Sequence, residues 1–403
     1  MASRQRLLIL TQVYVPDPAS VGQHLADAAS EVARRGFPVR VLTSACGYDD
    51  PSVRYPARQT LDGVDVVRVP LSSFGKKSLW TRLAAQGLFL AQTLARGALT
   101  PDLGAVLVST SPPMASAAAL VIATLRRVPL VYWAMDINPD QAVALGAFAP
   151  DALPVRLLDA LNRLVLGRAK AVVTLDRFMA DRLNRKRDVT GKLQVFPPWP
   201  HENPLGTLPH ADNPFRHRHG LDGRTVIMYS GNHGPSNPIR TLLDAAERLK
   251  DRKDIVFAFI GGGVGKKEVA DAIARGAGNL LDLPYQPMAE LRNSLSAADA
   301  HVVTLGDGVV GIVHPCKVYG AMAVARPLLY VGPRPSHVSD LLDHDDIGWQ
   351  AAVEPLVVPN IASHSSGSFQ TRFPLTTAFS SVSEGFGMLC ANDGTSTSPS
   401  AAK

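Results

Sequence analysis

Short, continuous apolar runs alternate with helical patterns along the first half of the chain. A helical pattern from 21 to 35 separates the first two runs, and Gly36 supplies its C-terminal cap. Uninterrupted Val, Ile and Leu runs are typical of a parallel sheet covered on both faces, and their alternation with helices predicts a doubly wound α/β fold. The predicted strands are 7–10, 39–42, 64–67, 106–108, 130–133 and 171–175.

The same alternation returns after a proline-rich break at residues 196–200. Prolines favour an extended connector, so a domain boundary is placed near residue 200. A helix is predicted from Pro238 to 250, with Asn237 as its N-cap, and another from Pro315 to 326. The strands predicted in this half are 226–229, 256–260, 302–305 and 328–331.

These patterns predict two Rossmann-like domains, residues 1–200 and 201–350, which face each other across a cleft. From about residue 351 the character changes, because Ser, Thr, Gly and Pro become frequent and helical periodicity ends. Such a composition does not supply a core, so residues 351–403 are predicted to form a low-complexity, disordered tail without a domain.

Composition and charge narrow the function classes. The 403 residues carry a formal net charge of +6, without a dense Lys/Arg block, which disfavours a nucleic-acid partner. Cys46, Cys316 and Cys390 have no paired spacing, which indicates a reducing, cytoplasmic compartment. No apolar run reaches the ~18 residues of a membrane span. The long apolar helical pattern at 79–99 is interpreted as core, with contact at a membrane surface as the less favoured alternative.

The segment 311–327 carries the clearest candidate chemistry. It follows an apolar strand, and Pro315 predicts the start of a helix beside His314 and Lys317. The N-terminus of a helix at the carboxyl end of a strand is an anion-binding arrangement. The alternative is an ordinary strand–loop–helix unit with a surface lysine.

Two glycine-rich loops follow other predicted strands. The first contains Gly231 and Asn232, and the second contains Gly262 within 261–267. Glycines allow backbone amides to approach a phosphate, although a tight strand–helix turn needs them equally. The second loop does not have Walker spacing.

The predicted first domain contributes three further candidates. Gly22 and His24 lie near the start of the first predicted helix, on the cleft side. Asp136 directly follows a buried strand, where catalytic carboxylates of such sheets are found. Its alternative role is to cap the helix that begins near Pro139.

Four segments taken jointly resemble the family 4 glycosyltransferases, in particular bacterial enzymes of cell-surface polysaccharide assembly. They are residues 16–24, 133–140, 229–233 and 314–323. The resemblance implies the GT-B architecture and a nucleotide diphosphate sugar held mainly by the second domain. It also implies a glycan or polyprenyl-linked acceptor on the first domain, and metal-independent transfer with retention of configuration.

Without a metal, the protein itself must stabilise the charge of the departing diphosphate. One helix end supplies about 0.3–1 kcal/mol, whereas catalysis needs about 8–23 kcal/mol, so several groups must act together. Asp136 and His24 are assigned to catalysis, although the leaving phosphate can itself accept the acceptor's proton. The residues assigned to substrate binding are Gly22, Gly231, Asn232, Gly262, His314, Lys317, Tyr319 and Gly320.

The chain departs from the family in two ways. Ile312 and Gly320 occupy the positions of two glutamates that usually contact the donor sugar and the ribose, and the usual C-terminal closing helices are not evident. A catalytically impaired sugar-nucleotide-binding relative is therefore the first alternative, and an epimerase or phosphorylase on the same fold is the second. The predicted location is the cytoplasm, with peripheral association at the inner face of the membrane as a variant.

Overall fold

The structure is a computed structural model that describes residues 5–17, 19–47, 50–70, 79–199, 206–345 and 347–351. Apart from Ala351, the predicted disordered tail at 351–403 lies outside the described residues.

The first half of the chain folds around an eight-stranded sheet with the strand order β3-β4-β2-β1-β5-β6-β7-β8. All neighbours pair in parallel except β3 and β4, which are antiparallel. Its central strands are apolar and buried on both faces, as the uninterrupted runs predict. The strands are β1 Arg6–Leu10, β2 Val39–Ser44, β3 Arg58–Leu61, β4 Val64–Val69, β5 Leu103–Ser109, β6 Leu130–Trp133, β7 Ala171–Thr174 and β8 Leu193–Val195.

The second half folds around a six-stranded, wholly parallel sheet with the order β11-β10-β9-β12-β13-β14. The chain thus has two parallel-sheet domains, as predicted. The proposed boundary at residue 200 falls between the last strand of one sheet and the first of the other, and it stays a prediction. The strands are β9 Thr225–Ser230, β10 Ile255–Ile260, β11 Leu280–Leu283, β12 Ala300–Thr304, β13 Leu328–Val331 and β14 Gly348–Ala351.

Helices connect the strands of both sheets. In the first half they are α1 Ser20–Arg34, α2 Leu79–Ala98, α3 Ala115–Leu125, α4 Asp140–Ala144, α5 Leu153–Arg168 and α6 Arg177–Lys186. In the second half they are α7 Pro214–Arg218, α8 Arg240–Arg248, α9 Lys266–Ala274, α10 Leu291–Ser296, α11 Lys317–Ala323 and α12 His337–His344.

Gly36 ends α1 as predicted. Its φ is +84°, its N–H donates to the carbonyl of Ala33, and the N–H of Phe37 donates to the carbonyl of Val32. This is the Schellman arrangement, in which a left-handed residue allows two otherwise unpaired helix carbonyls to be satisfied.

Two predicted helix starts are wrong by two residues. Helix α8 begins at Arg240, so Asn237 is not its N-cap and Pro238 precedes it. Helix α11 begins at Lys317, so Pro315 also lies before the helix, and the helix ends at Ala323 after only seven residues. In both places the chain first makes turns whose N–H groups bond carbonyls two or three residues back, which delays the helix.

One hydrophobic cluster extends from the first domain into the second. It joins central strands such as β1 and β5 to second-domain residues that include Leu305, Ile312 and Tyr319. Because apolar burial stabilises contact roughly in proportion to area, this continuity holds the two domains together at one edge of the cleft.

Helix α2 packs as the interpretation of 79–99 predicted, with Phe89 buried and Leu88 partly exposed. Among the helices of the described residues, none has the length and apolar character needed to cross a membrane. The alternative of contact at a membrane surface stays a prediction.

Candidate active site

A cavity of about 520 Å³ lies between the carboxyl ends of the two sheets. This volume falls within the range of small-molecule sites, and the carboxyl edge is where α/β folds bind ligands. The first domain lines it with residues that include Ser20, Gln23, His24, Ser111, Asp136 and Trp199. The second domain contributes Gly231, Asn232, Tyr285, Lys317, Tyr319 and Gly320, among others.

Lys317 presents an ammonium group to this cavity from the first position of α11. Its Nζ donates to the hydroxyl of Tyr229 at 2.8 Å and to the carbonyl of Asn232 at 3.4 Å, and it lies 4.6 Å from the centre of the Tyr229 ring. Among the described residues, no carboxylate forms an ion pair with it. Desolvation by the cleft walls lowers the pKa of Lys317 to about 7.

Gly231 allows the lysine to lie against the backbone. Its φ is +131°, and a Cβ atom at this position would lie 3.1 Å from Cε of Lys317. The N–H of Gly231 donates to the carbonyl of Ile260. The predicted phosphate loop and the predicted cation are thus adjacent.

Gly262 belongs to the second glycine-rich loop, which packs behind the first and does not line the cavity. Its carbonyl accepts from the backbone N–H and from Nδ1 of His233. Burial lowers the pKa of His233 to about 4, which keeps the imidazole neutral. The geometry of Gly262 is therefore that of a support for the Gly231 loop, and its predicted substrate contact is untested.

Asp136 lies on the opposite wall, three residues after the end of β6. Its backbone N–H bonds the hydroxyl of Thr110, and burial raises the pKa of its carboxyl to about 6. Nearby, burial raises the pKa of the Cys316 thiol to about 12, so that group is neutral. An acid with a pKa near neutrality, in a cleft, is suited to proton transfer.

His24 and Gly22 lie in the first turns of α1 but in different environments. His24 lines the cavity, is 3% exposed, and packs edge-on against Trp199 at a centroid distance of 5.1 Å. Gly22 lies behind the cavity wall, where a Cβ atom would approach the backbone of Tyr14 to 3.0 Å. Its geometry indicates close helix packing, and its predicted substrate contact is untested.

His314 and Tyr319 line the cavity and form a buried hydrogen-bond network. Nδ1 of His314 lies 2.7 Å from Oδ2 of Asp176, and Nε2 lies 3.0 Å from the Tyr319 hydroxyl. That hydroxyl lies 2.8 Å from Nε2 of His337. Both ring nitrogens of His314 are thus engaged by protein groups, an environment different from the phosphate contact that the sequence predicts.

Sequence reasoning missed Asp176 and His337. The signal for Asp176 was present, since an aspartate directly after β7 and before an amphipathic helix is a typical N-cap, and its side chain does accept from Met179 N at 2.8 Å. Nothing local to the sequence relates it to His314, which is 138 residues away.

Asp176, His314 and His337 are also close enough to hold a metal ion, the one such group among the described residues. Their hydrogen bonds already use both nitrogens of His314, an oxygen of Asp176 and Nε2 of His337. We assign no metal to them.

Gly320 and Ile312, which occupy the positions of the two glutamates usual in the resembled family, have different surroundings. Gly320 lines the cavity, and a Cβ atom there would make an ordinary contact with Leu295 at 3.4 Å. Ile312 is fully buried, and its carbonyl accepts from Ile137 N of the first domain at 2.8 Å. One glutamate position therefore faces the cavity while the other contributes to contact between the domains.

Comparisons with known proteins agree with this geometry. The family model of the glycosyl transferase 4-like domain matches residues 20–199. The "Probable glycosyltransferase WbjE" of Pseudomonas aeruginosa is 31% identical over 219 residues. Residues 20–199 of the chain are thus similar to the glycosyl transferase 4-like domain. That alignment covers 53% of this chain and 54% of WbjE, so the chain spans about half the length of this relative.

A second relative and a solved structure match over more of the chain. The "Putative colanic acid biosynthesis glycosyl transferase WcaI" of Escherichia coli K12 is 26% identical over 79% of this chain and 81% of its own length. The crystal structure of Anabaena Alr3699/HepE in complex with UDP and glucose superposes with a TM-score of 0.67 at 15% identity, covering 96% of this chain and all of that one. This likeness shows the GT-B fold.

Proposed function

We propose that this protein transfers a sugar from a nucleotide diphosphate sugar to a glycan or polyprenyl-linked acceptor in cell-surface polysaccharide synthesis. The relatives WbjE and WcaI are described as glycosyltransferases, WcaI in colanic acid biosynthesis, and HepE was crystallised with UDP and with UDP-glucose. A cavity of suitable volume between two Rossmann-like domains supports the same conclusion.

The observation that carries the proposal is the side chain of Lys317 in that cavity, which has no carboxylate partner among the described residues. A desolvated cation is unfavourable unless an anion compensates it, and no carboxylate among the described residues does so. Tyr229 and Asn232 use two of its three N–H donors, which leaves one for a ligand. A diphosphate oxygen would supply the missing charge.

Backbone groups add to this cation. Ser20 begins the fifteen-residue helix α1 and lines the cavity, so the positive end of that helix faces it. A fixed donor that acts on transition-state charge is worth about 2.7–4 kcal/mol, against about 2 kcal/mol at most for a helix end. We therefore propose that Lys317, rather than the seven-residue α11, is the main substitute for a metal ion.

On the first-domain wall we assign Asp136 to the reacting centre and His24 to the acceptor side. Asp136 and His24 both line the cavity opposite the Gly231 loop. In transfer with retention, the leaving phosphate can accept the proton of the acceptor hydroxyl, so Asp136 need only stabilise developing positive charge or share that proton. Retention is part of the proposal.

A thermal-shift screen with UDP, GDP, dTDP and CDP, each without divalent cation, tests the proposal. A ligand that binds only the folded state raises the melting temperature in proportion to its affinity. We expect one of these nucleotides to shift it in the wild type but not in Lys317→Ala. Lys267→Ala removes an exposed lysine on α9 and is the matched control. Equal shifts in both variants would contradict the assignment.

The impaired-relative alternative follows from Ile312 and Gly320, which replace the two glutamates. The nucleotide found by thermal shift is then offered as its sugar conjugates with an acceptor extract. Release of nucleoside diphosphate that depends on acceptor supports transfer, whereas tight binding with no release by well-folded protein supports the alternative.

A further inference from the structure

A short segment that directly precedes Lys317 packs its backbone closely against the first domain. Asp136 and Val313 form an isolated antiparallel bridge, and Ile137 N donates to the carbonyl of Ile312 at 2.8 Å. At the other end of the segment, a Cβ atom on Gly311 would lie 2.7 Å from the carbonyl oxygen of Phe178. Backbone of the second domain is thus closely packed between the loop after β6 and the first turn of α6.

His314 is the polar centre of this contact. Its side chain is 0% exposed, and that of its partner Asp176 is 3% exposed. Breaking such a buried pair is costly, because it leaves a charge or a donor without water. Nearby, Arg177 makes an exposed bidentate ion pair with Asp340, and pairs of that kind contribute little.

The chemistry of the network fixes the direction of the hydrogen bond between His314 and Asp176. Burial raises the pKa of Asp176, but the hydrogen bond and charge of His314 outweigh it and lower the pKa, so the carboxylate only accepts. Nδ1 of His314 therefore carries a hydrogen and donates it to Asp176, and Nε2 is hydrogen-bonded to the Tyr319 hydroxyl. That hydroxyl is also hydrogen-bonded to Nε2 of His337, whose pKa burial and the charge on His314 lower to about 3.

We propose that His314 is a positioning residue, which anchors the start of α11 to Asp176 and so holds Lys317 in the cleft. Only Pro315 and Cys316 separate His314 from Lys317, and the fixed φ of proline limits how far the two can move independently. A displacement of about 1 Å at such a site can cost about a hundredfold in rate. The link to catalysis rests on the proposed function, but the anchoring itself does not.

Two substitutions of His314 separate the two hydrogen bonds. In His314→Asn the amide N–H lies near the position of Nδ1 and retains the donor to Asp176. In His314→Gln the longer amide reaches towards Tyr319 and loses Asp176. If His314 positions Lys317 through Asp176, Lys317 should keep its wild-type position in His314→Asn. In His314→Gln it should be displaced. Arg177→Ala is the control for a generic loss of contact between the domains.

The measurement is the titration of Lys317 itself, by competitive acetylation and mass spectrometry in the absence of ligand. In the wild type and in His314→Asn we expect half-reactivity near pH 7, and in His314→Gln a shift towards the ordinary lysine value of about 10.4 as the group moves into water. Arg177→Ala should leave it unchanged. If Lys317 titrates at the same pH in His314→Asn and in His314→Gln, the proposal is overturned.

The ¹⁵N spectrum of histidine-labelled protein tests the direction of the network. We expect a histidine with a hydrogen on Nδ1, donated to Asp176, and this signal should disappear in His314→Gln. Asp176→Asn preserves an N-cap oxygen for α6 but offers an N–H towards His314, so the tautomer should reverse to Nε2–H. An unchanged tautomer in that variant would overturn the assignment of Asp176. Both measurements remain informative when no nucleotide binds, so failure of the proposed function is distinguishable.

Discussion

His314 and Lys317 are three residues apart and both line the cavity, but their hydrogen-bond partners differ. Both are cationic or polar groups at the predicted start of one helix, yet His314 lies in the contact between the domains with both nitrogens bonded to protein. Lys317 lines the cavity without a carboxylate partner among the described residues. A group whose hydrogen bonds are complete serves structure, whereas a desolvated charge without a counterion indicates a missing ligand.

The helix start explains why the two side chains diverge. Residues three apart share a face only within a helix, and α11 begins at Lys317, so His314 belongs to the preceding extended segment. The predictions below test whether this division between anchor and ligand group is correct.

The largest effect is expected for Lys317→Ala. Loss of a preorganised donor to the leaving group should lower kcat/KM about 10²–10³-fold in a nucleotide-sugar transfer assay. Since the folded state no longer carries a desolvated ammonium, the free energy of unfolding should be unchanged or higher. A fall in stability with little change in rate would make Lys317 the structural residue of the two.

Asp136→Asn tests the acidic counterpart on the opposite wall. Because burial raises its folded pKa from 3.8 to about 6, the ionised carboxylate costs stability at pH 7.5, and the amide should raise the free energy of unfolding by about 1–3 kcal/mol. The gain should shrink as pH falls from 6 towards 4, where wild-type Asp136 is already protonated when folded. Urea unfolding across this pH range measures it, and a parallel loss of turnover assigns Asp136 to the reaction.

Gly231→Ala brings a methyl group against the lysine side chain. The positive φ costs about 1–3 kcal/mol of stability for a non-glycine residue, and the new Cβ would lie 3.1 Å from Cε of Lys317. Gly276→Ala is the matched control, since φ is +97° there and nothing lies within 4 Å of the added atom. Both variants should lose stability, but only Gly231→Ala should weaken nucleotide binding in calorimetry.

The smallest expected effect is proton uptake on nucleotide binding. With its pKa near 7, Lys317 is partly neutral at pH 7.5, and a bound diphosphate favours the charged form, so uptake of up to about one proton is expected. Calorimetry of the identified nucleotide in buffers of different ionisation enthalpy measures this number. The same uptake in Arg177→Ala and its absence in a Lys317 variant that still binds would sharpen the assignment.

Strands that are buried on both faces were predicted from the sequence, whereas partly buried edge strands were not. The uninterrupted apolar runs of the central strands were predicted correctly because both of their faces are covered. Edge strands β3, β8, β11 and β14 were missed, since they are short and only partly buried, and their pairing depends on a neighbour already in place. The starts of α8 and α11 were misplaced because the Asn237 and Pro315 signals precede turns, not helices.

For the candidate site, the sequence identified residues near strand ends, but it did not show which of them line the cavity. Asp136, His24, Gly231 and Lys317 all line the cavity, because the carboxyl ends of parallel strands meet at one edge. Gly22 and Gly262 lie behind its walls. Asp176 was missed because its partner His314 belongs to the other domain.

The order of apolar runs and helical patterns by itself determined two parallel-sheet domains and a cleft lined by their strand ends. Local apolar patterns indicate which strands are buried, and their alternation with helices indicates that the strands are parallel. Tertiary structure alone decided that Lys317 faces the cleft with no carboxylate partner among the described residues, while His314 pairs with Asp176. Those environments depend on side chains from distant segments, and desolvation acts only once both domains surround the group.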